Sequence, residues 1–353
     1  MDLDRPETYA PADPAGMLAH LEALPRQLEE AWALSQALAA PERYRTAQSI
    51  VVAGMGGSAI GADLVAGLCA DSLRVPLVVW RDYDLPAWVG PRTLVIASSY
   101  SGGTEETLSA VERALAVGAP VVGISTGGSL VARLAEADQP VLHFDYPAQP
   151  RAALGYALVL LLGLLARLGY LPDQAAAVRP AVAAADEAAA RLGPAAPAAT
   201  NGAKQLASVL HGRVAVVYGG GFLAAVARRW KGQLNENAKH WAFFEQLPEL
   251  DHNAVMGYQF PAEAASEVVV VLLESALLPS RLRLRYTVTA ELLARQDIPY
   301  HTVEAWGDDP LAQLVAAVSY GDWTSYYLAL LNGVDPTGIA AIDYLKARLG
   351  EAG

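Results

Sequence analysis

Glycine and hydroxyl residues occur together in two short segments of the first third of the chain. The first loop is Gly54-Met55-Gly56-Gly57-Ser58, and the second loop is Ser98-Ser99-Tyr100-Ser101-Gly102-Gly103-Thr104. Glycines allow a tight turn and the close approach of a ligand to the backbone. A helix N-terminus offers free amides and a positive dipole to an anion. Hydroxyls and amides can together surround a phosphate without any net positive charge, so the two loops predict a site for an anionic metabolite.

Each loop also has other interpretations. Gly54, Gly56 and Ala59 satisfy the dinucleotide pattern G-x-G-x-x-A, and Asp82 suits the acid that binds the ribose, so a nicotinamide enzyme is an alternative. A glycine turn needed only for packing is another. In the second loop, Thr104 or Ser101 can simply cap a helix. Capping explains one hydroxyl and leaves the rest of the cluster unexplained.

Both loops follow segments that have the composition of buried strands. Such segments recur through the first half, in alternation with helical patterns, at residues 49–53, 75–80, 93–98, 119–125 and 141–146. Continuous apolar strands alternating with helices indicate a parallel sheet covered on both faces. Ligands of such sheets bind at the carboxyl ends of the strands, where both loops are expected to lie. The first helical pattern covers residues 14–40, and an apolar helix is predicted around residues 158–166.

The second half of the chain repeats this pattern. Residues 213–223 echo residues 49–60, strands are predicted at 267–274 and 299–305, and a helix is predicted at 279–296. The repeated glycine turn, Gly219-Gly220-Gly221-Phe222, has no serine. We therefore expect an α/β protein with two doubly wound parallel-sheet domains and flanking helices. The predicted divisions are a helical segment 1–40, a first domain 41–171, a helical linker 172–205, a second domain 206–330 and a C-terminal helix 331–353, with Asp335 as its cap.

Composition narrows the functional classes. The 353 residues carry a net charge of -12, which argues against a nucleic-acid partner. The longest apolar stretch is too short to span a bilayer, and the acidic N-terminus lacks the features of a signal peptide. The single cysteine, Cys69, is expected to be buried, and the predicted compartment is the cytoplasm. Six scattered histidines, none paired at ligand spacing, predict neither a metal nor another cofactor.

The glycine-serine turn and the downstream SxSGxT loop resemble the sugar isomerase (SIS) domain. Together with the segments NENAK (235–239), DHN (251–253) and DPTGIAAIDYLK (335–346), two such domains look like the bifunctional phosphoglucose/phosphomannose isomerase family. The resemblance implies interconversion of glucose 6-phosphate and mannose 6-phosphate with fructose 6-phosphate through an enediolate, in carbohydrate metabolism through glycolysis and gluconeogenesis. It also implies a homodimer with shared active sites.

The resemblance assigns roles to individual residues. Phosphate binding falls to Gly57, Ser58, Ser99, Ser101 and Thr104. Catalysis falls to Arg151 beside the reacting carbons, Glu236 as the base, and His252 with Lys346 in ring opening. One position departs from the family pattern, because Gly103 stands where an asparagine is usual, which puts a side-chain contact to the substrate in doubt.

The chemistry of an aldose-ketose isomerase suits these residue types. A carboxylate can move a proton between two adjacent carbons, and an arginine can stabilise the enediolate while staying charged. Each candidate also has an ordinary interpretation, for example Glu236 or Lys346 as a solvated helix residue. A non-catalytic sugar-phosphate sensor and a nicotinamide-dependent oxidoreductase are the alternative functions.

Overall fold

The computed structural model describes residues 1–37 and 41–351, which fold around two parallel β-sheets. The five-stranded sheet has the order β2-β1-β3-β4-β5 and the four-stranded sheet the order β7-β6-β8-β9. Every strand pair is parallel. The order 7-6-8-9 repeats the order 2-1-3-4, which confirms the predicted repetition and the doubly wound α/β class.

The first half contains five strands and the helices that cover them. The strands are β1 (Ser49–Ala53), β2 (Leu77–Trp80), β3 (Thr93–Ser98), β4 (Val121–Ser125) and β5 (Val141–His143). The helices are α1 (Met17–Glu22), α2 (Leu24–Gln36), α3 (Gly56–Leu68), α4 (Glu105–Ala116), α5 (Gly128–Glu136) and α6 (Leu154–Arg167). The strands β1, β3 and β4 are almost wholly buried, as their continuous apolar sequences require.

The second half contains four strands and longer helices. The strands are β6 (Val214–Gly220), β7 (Ala242–Leu247), β8 (Val268–Glu274) and β9 (Tyr300–Glu304). The helices are α7 (Ala175–Leu192), α8 (Gly202–Leu210), α9 (Leu223–Glu236), α10 (Ala264–Glu267), α11 (Ser280–Arg295), α12 (Pro310–Asn332) and α13 (Ala340–Gly350). No helix among the described residues is both long and apolar enough to cross a membrane.

Strand β7 and helix α12 are among the elements that the sequence patterns missed. Strand β7 is an edge strand that alternates poorly, with Phe243, Glu245 and Gln246 exposed. Helix α12 is almost wholly buried, so it is apolar on every side and lacks the one-sided period of a surface helix. The pattern over 14–40 is divided at Ala23 into two helices, and its last residues, 38–40, lie outside the described residues.

The prediction that Asp335 caps the terminal helix is wrong. Its carboxylate accepts hydrogen bonds from the amides of Thr337, at 2.8 Å, and Gly338, at 3.2 Å. These bonds stabilise a turn, and α13 begins only at Ala340. The domain boundaries inferred from the sequence stay a prediction.

Helices α3 and α9 are equivalent in the two halves and pack against each other in opposite directions. Near one end of the pair, Gly67 of α3 lies beside Phe222, which precedes α9, at 3.6 Å from the position of an added Cβ. At the other end, Gly56 and Gly57 line the same cavity as Glu236. The N-terminus of α3 is therefore next to the C-terminus of α9, and residues far apart in sequence meet there.

Candidate active site

The two hydroxyl-rich loops lie side by side at the carboxyl ends of β1 and β3. Ser58, in the first turn of α3, accepts a hydrogen bond on Oγ from the amide of Tyr100 at 2.9 Å. The hydroxyl of Ser98 donates to the carbonyl of Ser58, also at 2.9 Å. The first and second loops are thus bonded to each other, and the N-termini of α3 and α4 open next to them, as an anion site requires.

The hydroxyl groups of the second loop are organised among themselves. The Oγ of Ser99, which is buried, lies 2.9 Å from Oγ1 of Thr104. Thr104 occupies the N-cap position of α4, yet its hydroxyl makes no capping hydrogen bond. Ser101 is exposed, and its Oγ accepts from the amide of Gly103 at 3.3 Å. Capping therefore does not account for Thr104, whose hydroxyl is paired with that of Ser99 instead.

Two glycines of the second loop differ in what they allow. Gly102 has a φ of 67°, and an added Cβ would lie 1.8 Å from the carbonyl oxygen of Gly127. A side chain is excluded at that position. Gly103 has a negative φ, and an added Cβ would meet nothing closer than Oγ of Ser101, at 3.9 Å. The loop therefore has room for an asparagine at residue 103, and the glycine leaves that space open.

Arg151 is buried between the two halves of the chain. It lies in a single 3-10 turn that follows β5. Its Nε donates to Oδ1 of Asn237 at 2.7 Å, and its NH2 group donates to the carbonyls of Pro336, at 2.8 Å, and Thr337, at 2.9 Å. Burial lowers the pKa of the Arg151 guanidinium, and Glu236 acts in the opposite direction. The side chain stays charged at neutral pH because an arginine starts far above it.

Glu236 is the partner of Arg151 in an open cleft. Its Oε2 lies 3.4 Å from NH1 of Arg151, and its side chain is 32% exposed. The cleft has a volume of about 300 Å³ and is lined from both halves, by Gly56, Gly57, Arg151, Gln233 and Glu236 among others. A carboxylate and a guanidinium thus face a space that begins at the N-terminus of α3.

Gly57 joins the first loop to Arg151. An added Cβ would lie 2.8 Å from the amide nitrogen of Arg151 and 2.8 Å from the carbonyl carbon of Pro150. Only a glycine allows the two backbones to approach so closely. Position 57 therefore sets the separation between the first loop and the guanidinium of Arg151.

Basic side chains make the cleft locally positive, although the chain as a whole is acidic. Arg81, Arg228 and Lys231 line it together with Arg151. Arg81 is hydrogen-bonded to Asp63, and Arg228 lies 3.5 Å from the same carboxylate. Because these four cations are accompanied by only two carboxylates among the described residues, those of Asp63 and Glu236, an anionic ligand meets an excess of positive charge here.

Known proteins share this arrangement in sequence and in fold. Residues 199–349 match the family model described as the bacterial phospho-glucose isomerase C-terminal SIS domain. A bifunctional phosphoglucose/phosphomannose isomerase from Caldicellulosiruptor bescii is 36% identical over 330 residues, which cover 93% of this chain and 97% of that protein. The chain belongs to the bifunctional phosphoglucose/phosphomannose isomerase family. It is accordingly an isomerase, as the sequence resemblance implied.

Solved structures with little sequence identity share the fold. A hypothetical protein from Thermus thermophilus superposes with a TM-score of 0.76 at 18% identity, over 99% of this chain and 93% of that one. A tagatose-6-phosphate ketose/aldose isomerase from Escherichia coli superposes with a TM-score of 0.69 at 16% identity, over 93% and 97% of the two chains. The paired parallel sheets are thus a fold that SIS proteins share.

Two of the residues that the family resemblance assigns to catalysis are outside the cleft of this chain. His252 ends a 3-10 turn after β7, is exposed, and its side chain makes no hydrogen bond or ion pair with another described residue. Lys346 lies on α13, where every described side chain is exposed. The structure thus brings Arg151 and Glu236 together beside the first and second loops and leaves His252 and Lys346 apart from them.

The sequence interpretation missed the residues that hold Arg151. Asn237 directly follows Glu236, and its side chain is completely buried. Arg229 donates to the carbonyl of Arg151 at 2.8 Å and pairs with Asp322 at 2.8 Å. A charged residue in the apolar run of α12 was the available signal, since buried carboxylates require partners.

Other sequence predictions concern residues outside this cluster. Cys69 is buried as expected, and burial raises the pKa of its thiol to about 11, so it is a poor nucleophile. Asp82, the candidate ribose acid, is exposed and accepts a bond from the adjacent amide of Tyr83. Membership of the isomerase family favours neither a nicotinamide enzyme nor a sensor. Within the described residues, no three His, Cys, Asp or Glu side chains are grouped as metal ligands.

Proposed function

We propose that this isomerase interconverts glucose 6-phosphate and mannose 6-phosphate with fructose 6-phosphate, in glycolysis and gluconeogenesis. The proposal rests on one observation, the placement of the Glu236 carboxylate 3.4 Å from Arg151 in a cleft that opens at the N-terminus of α3. The names of the relatives support the substrates, and the positive lining of the cleft suits a phosphate dianion.

The phosphate end of the substrate has a site in the two loops. Gly57 and Ser58 offer the start of α3, while Ser99, Ser101 and Thr104 offer hydroxyls beside the start of α4. Hydrogen bonds from hydroxyls and amides to a phosphate are charge-assisted and therefore strong. Binding at this end holds the sugar in place for reaction at its other end.

Isomerisation itself needs a proton to move between C1 and C2. The carboxylate of Glu236 removes the C1 proton of open-chain fructose 6-phosphate, which leaves a cis-enediolate, and returns that proton to C2. A second proton passes from O1 to O2, so that the carbonyl moves from C2 to C1. The NH1 group of Arg151 stabilises the oxygen on which the charge develops. Rotation of the intermediate about the C2–C3 bond presents either face of C2 to the same carboxylate, so that return of the proton gives the glucose or the mannose product.

The ring must open before this step, and His252 and Lys346 are the proposed residues for opening. A histidine can donate to or accept from the ring oxygen near neutral pH. Neither residue lines the cleft of its own chain, so we propose a homodimer in which each cleft receives side chains from the partner. We further propose that the protein is cytoplasmic and uses no cofactor.

Surface properties support the proposed dimer. The chain exposes 15230 Å², whereas a monomer of its 37.2 kDa mass is expected to expose about 13,700 Å². The excess is more than the ~800 Å² per partner of a specific interface. Helix α13 contributes to it with the exposed apolar side chains of Ile342, Leu345 and Leu349, which are 39%, 57% and 54% exposed.

A coupled assay tests the activity directly. Purified protein is supplied with fructose 6-phosphate, and the formation of glucose 6-phosphate and mannose 6-phosphate is measured with separate coupling enzymes. Both products are expected, with turnover unchanged by EDTA. Absence of both products would refute the proposed function, and loss of activity with EDTA that zinc restores would refute the proposed mechanism.

Mixing two inactive variants tests the shared site. Glu236→Gln and Lys346→Ala chains are purified, mixed under conditions that exchange subunits, and assayed. If Lys346 acts in the partner's cleft, each heterodimer has one intact site. Random mixing then restores about a quarter of wild-type activity, because about half of the dimers are heterodimers. No restoration despite subunit exchange would contradict the shared site.

A further inference from the structure

The donors of Arg151 are almost all occupied by the protein. An arginine has five N–H groups in a rigid planar fork and no acceptor. The Nε group is bonded to Asn237, and the NH2 group uses the carbonyls of Pro336 and Thr337. Only NH1 remains, and its one hydrogen-bonding partner among the described residues is Glu236, at 3.4 Å. The substrate can therefore meet this guanidinium only through NH1.

The amide of Asn237 is held in one orientation. Its Oδ1 must face Arg151, because the guanidinium offers only donors. Its Nδ2 donates to Oγ of Ser325 at 3.0 Å, and Ser325 in turn donates to the carbonyl of Asp322 at 2.7 Å. Asn237 and Ser325 are both fully buried. A flipped amide would place two donors against each other beside Nε, which is costly where water is excluded.

One turn of α12 thus holds both the backbone and the side chain of Arg151. Asp322 pairs with Arg229, which donates to the backbone carbonyl of Arg151. Ser325, three residues further along the same helix, holds the Asn237 amide that bonds the side chain of Arg151. The bond from Asn237 to Nε fixes the plane of the guanidinium and hence the direction of NH1.

We propose that Asn237 is a positioning residue for the isomerase reaction, which aims NH1 of Arg151 at the enediolate oxygen. This inference rests on the proposed function, because it concerns the guanidinium that stabilises the intermediate. Loss of the Nε bond leaves a buried donor unpaired and leaves the guanidinium held through its NH2 group, about which NH1 can change direction. Since the phosphate is held elsewhere, kcat should fall while KM changes little.

A set of variants separates positioning from stability. Asn237→Ala and Asn237→Leu remove the bond to Arg151, and the leucine fills the vacated volume. Asn237→Asp keeps an oxygen for Nε. The matched control is Thr324→Ala, the adjacent buried residue of α12, whose hydroxyl donates to the carbonyl of Tyr320 at 2.8 Å and takes no part in holding Asn237 or Arg151. Each variant is examined by thermal unfolding and by kcat and KM with fructose 6-phosphate.

Positioning predicts a specific pattern. Asn237→Ala and Asn237→Leu are expected to lose about a hundredfold in kcat, the usual cost of misplacing a catalytic group by about 1 Å, with KM within about threefold of wild type. Asn237→Asp should recover most of the kcat, and Thr324→Ala should lower Tm with kcat nearly unchanged. Equal losses of kcat in Thr324→Ala and Asn237→Ala would overturn the proposal, as would failure of both the alanine and leucine variants to fold.

A readout that does not need turnover keeps this inference distinct from the proposed function. The ¹⁵N–¹H signal of Nε in Arg151, identified by its absence in Arg151→Lys, should be slow to exchange in wild type and in Thr324→Ala. It should exchange rapidly in Asn237→Ala. If wild type fails to isomerise fructose 6-phosphate, the proposed function fails. If the Nε signal is equally protected without Asn237, the positioning role fails.

Discussion

The turn after β1 and the turn after β6 occupy equivalent places, yet the first is open and the second is closed. At the first turn, Ser58 and the start of α3 face the cleft. At the second, an added Cβ on Gly220 would lie 3.2 Å from Leu282, and one on Gly221 would lie 2.8 Å from Leu278. Leucine side chains thus fill the space that a ligand would need. The same backbone unit therefore has room for the proposed anion in one half and not in the other.

The second half, whose turn is closed, contributes to the cleft through the C-terminal end of α9. Because α3 and α9 pack in opposite directions, the C-terminus of α9 brings Glu236 to the N-terminus of α3. The first half presents the two loops and Arg151 to the cleft, and the second half presents Glu236 together with Asn237 and Arg229, which hold Arg151. Under the proposed function, the two halves divide binding and chemistry between them.

The largest effect should come from removing the base that the second half supplies. Glu236→Gln keeps the size of the side chain and removes its ability to take a proton. We expect kcat to fall by about 10³-fold or more, within the range of general-base catalysis, with KM close to that of wild type. Steady-state kinetics with fructose 6-phosphate provide the measurement.

A carboxylate outside the cleft provides the control for that variant. Glu245 lies on β7 in the same half and is exposed. Glu245→Gln makes the same chemical change and should leave kcat unaffected. Turnover of Glu236→Gln at the rate of Glu245→Gln would show that the second half supplies no base.

The second largest loss of activity should come from a change at Gly57, where the first loop contacts the backbone of Arg151. Gly57→Ala places a methyl group 2.8 Å from the backbone of Arg151, so that backbone must move. We expect a loss of about a hundredfold in kcat/KM, since both the anion loop and the guanidinium shift. The kinetic assay and a crystal structure of the variant would measure the change.

Gly67, at the opposite end of α3, provides a matched control for Gly57→Ala. At Gly67 an added Cβ meets Phe222 at 3.6 Å, which is an ordinary contact. Gly67→Ala should stabilise the protein by about 0.5–1 kcal/mol, because alanine is the better helix former, and should leave kcat/KM as it is. If the two alanine variants had the same activity, the close approach at Gly57 would have no catalytic importance.

The positions of most strands along the chain, and the two loops that follow β1 and β3, could be predicted from sequence because they depend on local patterns. The strands 49–53 and 93–98 coincide with β1 and β3, since buried parallel strands are continuous apolar runs. Strand β7 and helix α12 were missed because neither has a distinct period. Local patterns thus identified the elements next to the loops better than those that bring the halves together.

The candidate site could be predicted only in part for the same reason. The loops are contiguous in sequence, so Ser58 and Thr104 could be recognised directly. The contact of Arg151 with Glu236 joins residues 85 positions apart, and it depends on the antiparallel packing of α3 and α9. The contact of Asn237 with Arg151 could be found only from the structure, because nothing in the residue type distinguishes a buried amide from an exposed one.

A smaller effect is expected from the hydroxyls of the open half. Thr104→Ala and Ser101→Ala should raise KM by about tenfold, because a hydrogen bond to a charged group contributes about 1.5–3 kcal/mol, and should alter kcat little. A hydroxyl of the closed half provides the control, because Ser275 directly follows β8, as Ser99 follows β3, and is bonded to Gln313 and to the amide of Leu277. Ser275→Ala should lower Tm and leave KM unchanged. Normal KM values in both of the first two variants would place the phosphate elsewhere.

The smallest effect on catalysis is expected from reopening the closed half. Leu278→Ala removes a side chain that is 4% exposed and that fills the space beside Gly221. Burial of this kind predicts a loss of about 2–5 kcal/mol in the free energy of unfolding, measured by urea denaturation, while kcat and KM stay within about twofold. The reopened turn still lacks the serine of the first loop, so isothermal titration should detect no second site for inorganic phosphate. A second site appearing in this variant would show that the leucines alone, and not the missing hydroxyls, separate the two halves.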